Sequence, residues 1–194
     1  EQIGCAQPRA GALQGHLLKG ITVKIAHTMA PGRGDTDLLL HQLSQALAAR
    51  GLRCCGAVQI NTACQQGFCD MDVKVLPDGP VLRISQSLGR NSKGCRLDPS
   101  VLEAAVGLAQ SELAKAADLL IINKFGKHEA DGRGFRNVIA EAIGRDIPVL
   151  VGVNRLNLAA FDAFTGGSSV LIAPDLAKLE DWFEQALKEG QSAA

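Results

Sequence analysis

Leu119-Leu120-Ile121-Ile122 are four consecutive branched aliphatic residues that stop abruptly at Asn123-Lys124. A short apolar run with no polar alternation fits a strand covered on both faces, as in the middle of a parallel sheet. Parallel strands cannot be joined by tight hairpins and need crossover connections, usually helices. The rest of the chain supplies both. Ile21–Ala26, Cys54–Ile60, Ile147–Val153 and Ser169–Ile172 read as further strands. Helical spacing appears in Leu38, Leu39, Leu40, Leu43 and Leu47, which end at Gly51. It returns in Val101, Ala105, Leu108, Leu113 and Ala116, in Phe135–Gly144, in Asn157–Phe164, and in Leu176–Glu189 with Leu179, Trp182, Phe183 and Leu187. Asp98-Pro99 is a good helix entry, because Asp caps the first amides and Pro fits the first turn. Met71–Leu76 and Val81–Ser85 flank Pro77-Asp78-Gly79 and predict an antiparallel hairpin. The expected fold is therefore α/β: a three-layer, mostly parallel, doubly wound sheet with an antiparallel hairpin inserted. Residues 1–20 contain Gly4, Pro8, Gly11, Gly15 and Gly20 with no sustained period and read as an irregular leader, the absent initiator Met suggesting a trimmed or incomplete start. Residues 21–194 read as a single α/β domain.

The composition excludes several classes of function. Twenty basic side chains balance twenty acidic ones, so no whole-molecule charge draws the chain to nucleic acid or anionic lipid. Seven aromatic residues, none of them Tyr, make a poor stacking platform for single strands. No apolar run approaches the roughly 18 residues of a membrane span. The six cysteines lack regular spacing and read as reduced thiols, which predicts a cytoplasmic protein. Any anion site must then be local.

In parallel sheets, ligands bind at the carboxyl ends of the strands. The loop after the first strand is Met29-Ala30-Pro31-Gly32-Arg33-Gly34-Asp35-Thr36. Laid on G-x-x-x-x-G-K-[ST], it keeps Gly34 and Thr36, but has Met29 for the first Gly and Asp35 for the Lys. A carboxylate about 4 Å from a phosphate charge costs roughly 1 kcal/mol in water and about 4 at an effective dielectric near 20. Gly32, Gly34 and Thr36 can still serve a smaller anion, whereas Asp35 can equally be an N-cap on a retired phosphate loop. The loop after the apolar run is Asn123-Lys124-Phe125-Gly126-Lys127-His128-Glu129-Ala130-Asp131-Gly132-Arg133-Gly134-Phe135-Arg136, with four basic residues against two acidic ones. A P-loop enzyme carries a Mg²⁺-binding Asp at that strand end, where this chain has Asn123. Conventional Mg-dependent ATP hydrolysis is not supported. A third loop, Gly89–Asp98, adds Arg90, Lys93, Cys95 and Arg96. Basic, glycine-bearing loops beside strand ends fit an oxyanion or phosphate pocket, the alternative being a solvated charged rim.

Several of these segments resemble a bacterial family of uncharacterised domains whose members are labelled nucleoside-triphosphatase-like or molybdenum-transport ATP-binding proteins. The matching residues are Gly56–Gln59, Ile84–Gly89, Gly94–Pro99, Asn123–Gly134 and Pro148–Val153. The resemblance implies that residues 21–194 are a single P-loop-like domain of the P-loop nucleoside-triphosphatase type and a degenerate relative of small P-loop triphosphatases, with a role in molybdenum metabolism and ATP, GTP or a molybdate-like oxyanion as ligand. It also matches Glu129 to an acidic position kept by the active relatives.

The expected ligand-binding set is Gly32, Gly34, Thr36, Arg90, Lys93, Cys95, Arg96, Asn123, Lys124, Gly126, Lys127, Gly132, Arg133 and Arg136. Were the chain a triphosphatase with unorthodox groups, Glu129 would act as base and Lys127 as charge stabiliser. His128 beside Glu129 reads more readily as a surface residue, and His16, His27 and His41 have no partner by spacing. No metal site is expected. Cys64 and Cys69 lack a His at ligand spacing, and vicinal Cys54 and Cys55 in a strand would face opposite ways. The partners expected are a small anion and a second copy of the chain or a metal-transport or metalloenzyme protein, with neither nucleic acid nor membrane insertion.

Overall fold

A computed structural model of the 194-residue chain describes residues 24–61, 71–86 and 96–191. The expectations for the leader 1–20, for Ile21–Val23, and for Cys64, Cys69, Arg90, Lys93, Gly94 and Cys95 lie outside the described residues. Those described form seven strands in one sheet and six helices. In chain order they are β1 (Ile25–Thr28), α1 (Asp35–Ala49), β2 (Cys54–Asn61), β3 (Met71–Leu76), β4 (Val81–Arg83), α2 (Pro99–Lys115), β5 (Leu119–Phe125), α3 (Lys127–Ala130), α4 (Arg136–Gly144), β6 (Val149–Val153), α5 (Leu158–Thr165), β7 (Val170–Leu171) and α6 (Leu176–Gln191).

The sheet order is β4-β3-β2-β5-β6-β1-β7. Strands β2, β5, β6, β1 and β7 run parallel, while β3 and β4 continue the sheet antiparallel beyond β2. Apolar residues alternate across the strands, as the pleat demands. Leu120, Ile122, Val149 and Val151 pack with α2, α4 and α5 on one face. Leu119, Ile121 and Leu150 pack on the other with Leu40, Leu43 and Leu47 of α1 and Leu179 and Phe183 of α6. Each such fully buried side chain contributes roughly 1.5–3 kcal/mol. The two cysteines divide the same way: Cys54 joins the α1–α6 side and Cys55 the α2 side. Burial pushes the Cys54 thiol up to about 12, which marks it as an inert core group.

Asp98 caps α2, its carboxylate accepting from the Ser100 and Val101 amides at 2.9 and 3.2 Å. The face of α2 turned inward carries Leu102, Ala105, Val106, Ala109 and Leu113, while Leu108 is 40% exposed. Several boundaries differ from the sequence reading, those at the strand ends by the site among them. The first strand extends through His27 and Thr28, polar residues that the strand nevertheless buries. His27 finds a distant partner, its Nδ1 lying 2.8 Å from Ser169 Oγ, and its ring meets Phe161 edge-on. The central strand runs on through Phe125, and the loop beyond contains the single turn α3.

Candidate functional site

The chain leaves β1 toward the α1 face and leaves β6, its neighbour, toward the α5 face. Connections that part in this way open a crevice at the carboxyl ends of the two strands, the general position of ligand sites in such sheets. A cleft of about 550 Å³ occupies it, lined by the Met29–Gly34 loop, Thr36, Asp37, Asn123, Lys124 and the segment Gly152–Arg155. A second cleft of about 610 Å³ adjoins it on the side of β2, β3 and β4. Arg33, Gly34, Asp37, Asn123 and Lys124 line both.

The Met29–Gly34 loop leads directly into α1. Gly34 is the N-cap, with φ at 87°, a left-handed conformation that glycine adopts without strain. Its amide and those of Gly32 and Arg33 donate to no described residue. The Thr36 hydroxyl is occupied: it accepts from the Ala30 amide at 2.9 Å and closes the loop on itself. Asp35 lies across the loop, so that a Cβ on Gly32 would collide with its carboxylate. Asp37, one turn into the helix, is 3% exposed. Its Oδ1 accepts from Asn123 Nδ2 at 2.9 Å and lies 3.4 Å from Lys124 Nζ. Two side-chain oxygens near the carboxyl ends of β1 and β5, Thr28 Oγ1 and Asn123 Oδ1, are buried without a hydrogen-bond partner among the described residues, and Asn123 also lines the cleft. Leaving such a group unpaired costs about 1–3 kcal/mol. Gly152 keeps the space beside Asn123 tight, since a Cβ there would approach Asn123 Oδ1 at 2.9 Å and Leu40 Cδ1 at 3.0 Å.

Lys124 owes its position to an irregularity. Asn123 pairs with Gly152 and Phe125 with Val153, so β5 carries one residue more than β6 at this point. Such a bulge turns the extra residue out of the pleat. Phe125 thereby stays in the core against Phe161 and Phe164, and Lys124 reaches both clefts.

The next loop is held from within. Glu129, 3% exposed, accepts from the Gly126 amide through Oε2 at 2.9 Å and from the Phe135 amide through Oε1 at 3.2 Å. Burial pushes its carboxyl above the ordinary carboxylate range, against the pull of those amides. His128 is buried rather than on the surface, and its Nε2 lies 2.8 Å from Glu103 Oε1 on α2. Glu103 also accepts from the Gly134 amide at 3.0 Å. The hydrogen bond from His128, with that amide, holds the Glu103 carboxyl below its usual range.

Of the residues expected from sequence, Gly32, Gly34, Thr36, Asn123 and Lys124 line the first cleft, and Arg96, Gly126, Lys127 and Glu129 join at the second. Gly132, Arg133 and Arg136 line neither. Arg133 reaches Asp131 at 3.9 Å, and Arg136 lies over the Phe164 ring at 4.3 Å. Sequence reasoning missed Asp37, Gln59, Asn154 and Arg155. Asp37 left a signal: it falls on the same helical stripe as Leu40, Ser44 and Leu47.

A family model described as "Protein of unknown function (DUF2478)" matches residues 25–182. The chain is also similar to a protein of Bradyrhizobium diazoefficiens named molybdenum import ATP-binding protein ModC 2, at 35% identity over 164 residues. That match covers 82% of the chain but only 18% of the relative's length. No solved structure matches the chain.

Proposed function

This chain belongs to the DUF2478 family, and from that premise we propose that it is a phosphate- or oxyanion-binding protein built on a degenerate P-loop. The observation that carries the reading is the group of unengaged amides at Gly32, Arg33 and Gly34, which open at the N-terminus of α1 into a cleft shared with Lys124. Bare amides and the helix's positive end favour an anion, and an adjacent ammonium adds charge. The arrangement of β1, loop and α1 is the strand–loop–helix order of a phosphate loop. The unpaired acceptors at Thr28 and Asn123 are a cost of the kind found at functional sites.

The ligand is held rather than hydrolysed in this reading. Asp35 stands where a phosphate-loop lysine would, and Asn123 where a metal-binding carboxylate would. The similarity to a segment of a longer protein named for molybdenum import supports an accessory role in molybdenum metabolism, with molybdate as one ligand to test. Calorimetric titration with molybdate, tungstate, sulfate, phosphate and ATP tests the proposal. We expect saturable binding of at least one of them, weakened by Lys124→Ala; silence for every anion at millimolar concentration overturns it.

One observation favours a triphosphatase instead. Glu129 has a carboxyl raised by burial, as general bases often do, and it lines the second cleft together with Lys127. Its oxygens are both engaged by amides, which favours a role in shaping the loop. Nucleotide-dependent phosphate release that disappears in Glu129→Gln and Lys127→Ala would establish the hydrolase.

A further inference from the structure

The second cleft is out of proportion to a bare oxyanion. Four oxygens, each about the size of a water molecule of ~30 Å³, would fill on the order of a fifth of the roughly 610 Å³ available. Its walls are also of two kinds. One end, shared with the first cleft, carries Arg33 and Lys124 beside Asp37, while Lys127 and Arg96 also line the cleft, Arg96 on the β4 side, where its Nε donates to Gln86 O at 3.3 Å. The other end is largely apolar, made by Met71 and Val73 of β3, Ile84 after β4, Leu97 just before α2 and Leu102 in its first turns. Met71 and Leu97 are half-buried and offer their remaining surface to whatever enters. An apolar concavity with a few convergent charges at one end is how proteins hold small organic ligands.

We infer that the ligand is an organic anion, with its charged group at the Arg33–Lys124 end and a compact apolar or flat aromatic body lying on the β3–β4 side of the second cleft. The inference rests on the anion-binding reading above and adds the ligand's class to it. The shared residues explain how one molecule uses both clefts, since Arg33, Gly34 and Lys124 stand at their junction. A phosphate monoester of an aromatic alcohol has this shape and charge. At ~25 cal/mol per Å², a tenfold gain over inorganic phosphate requires the body to bury only about 55 Å² of apolar surface.

The chain contains two methionines, Met29 and Met71, and each lines a different cleft. Methyl-labelled methionine therefore reports on both by NMR in the unmodified protein. Titration with inorganic phosphate should move the Met29 methyl signal and leave Met71 in place. 1-Naphthyl phosphate should bind at least tenfold more tightly and move both, Met71 by the ring current of the aromatic body. Leu97→Gln should reduce the gain to under about threefold while leaving the affinity for inorganic phosphate unchanged. Phosphate binding with no gain from the naphthyl group, or tight naphthyl phosphate binding with Met71 unmoved, overturns the inference and leaves the anion site standing. Failure of every anion to bind removes the anion site itself, and this inference with it.

Discussion

Two glycine-bearing loops meet at the candidate site and are built on opposite plans. The loop after β1 leaves the amides of Gly32, Arg33 and Gly34 unengaged and is closed chiefly by the Thr36 hydroxyl. In the loop after β5, carboxylates take the amides: Glu129 holds Gly126 and Phe135, and Glu103 holds Gly134. Glycine content alone therefore does not identify an anion cradle. What matters is whether a side chain already occupies the donors. The first loop keeps its backbone for a ligand, and the second fixes its own shape and lends Lys124 and Lys127.

The comparison breaks most visibly if the second loop proves indifferent to its internal carboxylate. Glu129→Ala leaves the buried Phe135 amide unpaired at about 1–3 kcal/mol and the half-buried Gly126 amide at about 1 kcal/mol, so stability should fall by roughly 2–4 kcal/mol, read as a lower denaturant midpoint. Unchanged stability would mean that the loop is held by something else. Glycine substitutions come next. Gly134 has φ at 60°, and a Cβ there would collide with Glu129 Oε1, so Gly134→Ala should cost about 1–3 kcal/mol. At Gly32 the obstacle is only the mobile end of Asp35, and Gly32→Ala should cost under about 1 kcal/mol in the same assay. Equal costs would erase the distinction between the loops.

Asp35→Lys sharpens the other side of the comparison. Exchanging a repulsive for an attractive charge at the loop is worth roughly 2 kcal/mol near water-like screening, so affinity for inorganic phosphate should rise more than tenfold by calorimetry. A fall would place the anion elsewhere. The smallest effect concerns pH. The Glu103 carboxyl is lowered in the folded protein, so its stabilisation is complete above the ordinary value of 4.5 and is lost as pH falls through the lowered one. The side chain is 48% exposed and solvent-screened, so the effect should stay under about 1 kcal/mol. Glu103→Gln should flatten the loss of stability below pH 4.5. An acid limb as steep as in the parent protein would show that this contact contributes nothing.

Much of the fold was legible because buried strands announce themselves as apolar runs. Leu119–Ile122, Cys54–Ile60 and the hairpin around Pro77-Asp78-Gly79 needed no distant information. The strand ends were harder to read, since His27, Thr28 and Asn123 are polar residues whose burial depends on partners far along the chain. The same holds for the site. Gly32, Gly34 and Lys124 were visible as loop chemistry. The pairing of His128 with Glu103, 25 residues away, and of Asp37 with Asn123, 86 residues away, follows from sheet order and from no local spacing. Asp35 and Asp37 look alike as first-turn acids, and only the rotation of α1 lays one across the exposed face of the loop and buries the other beneath it.

The extra residue in β5 has a consequence for how this strand can change. Phe125 in the core and Lys124 in the clefts depend on the chain being one step out of phase with β6. Deleting a single residue between Ile122 and Phe125 would restore the regular pleat and leave Phe125 opposite Val153 on the same face as Ile122, at the cost of one of the two cleft-lining residues, Asn123 or Lys124. The extra residue therefore gives this strand end a second cleft-lining side chain without displacing its aromatic anchor.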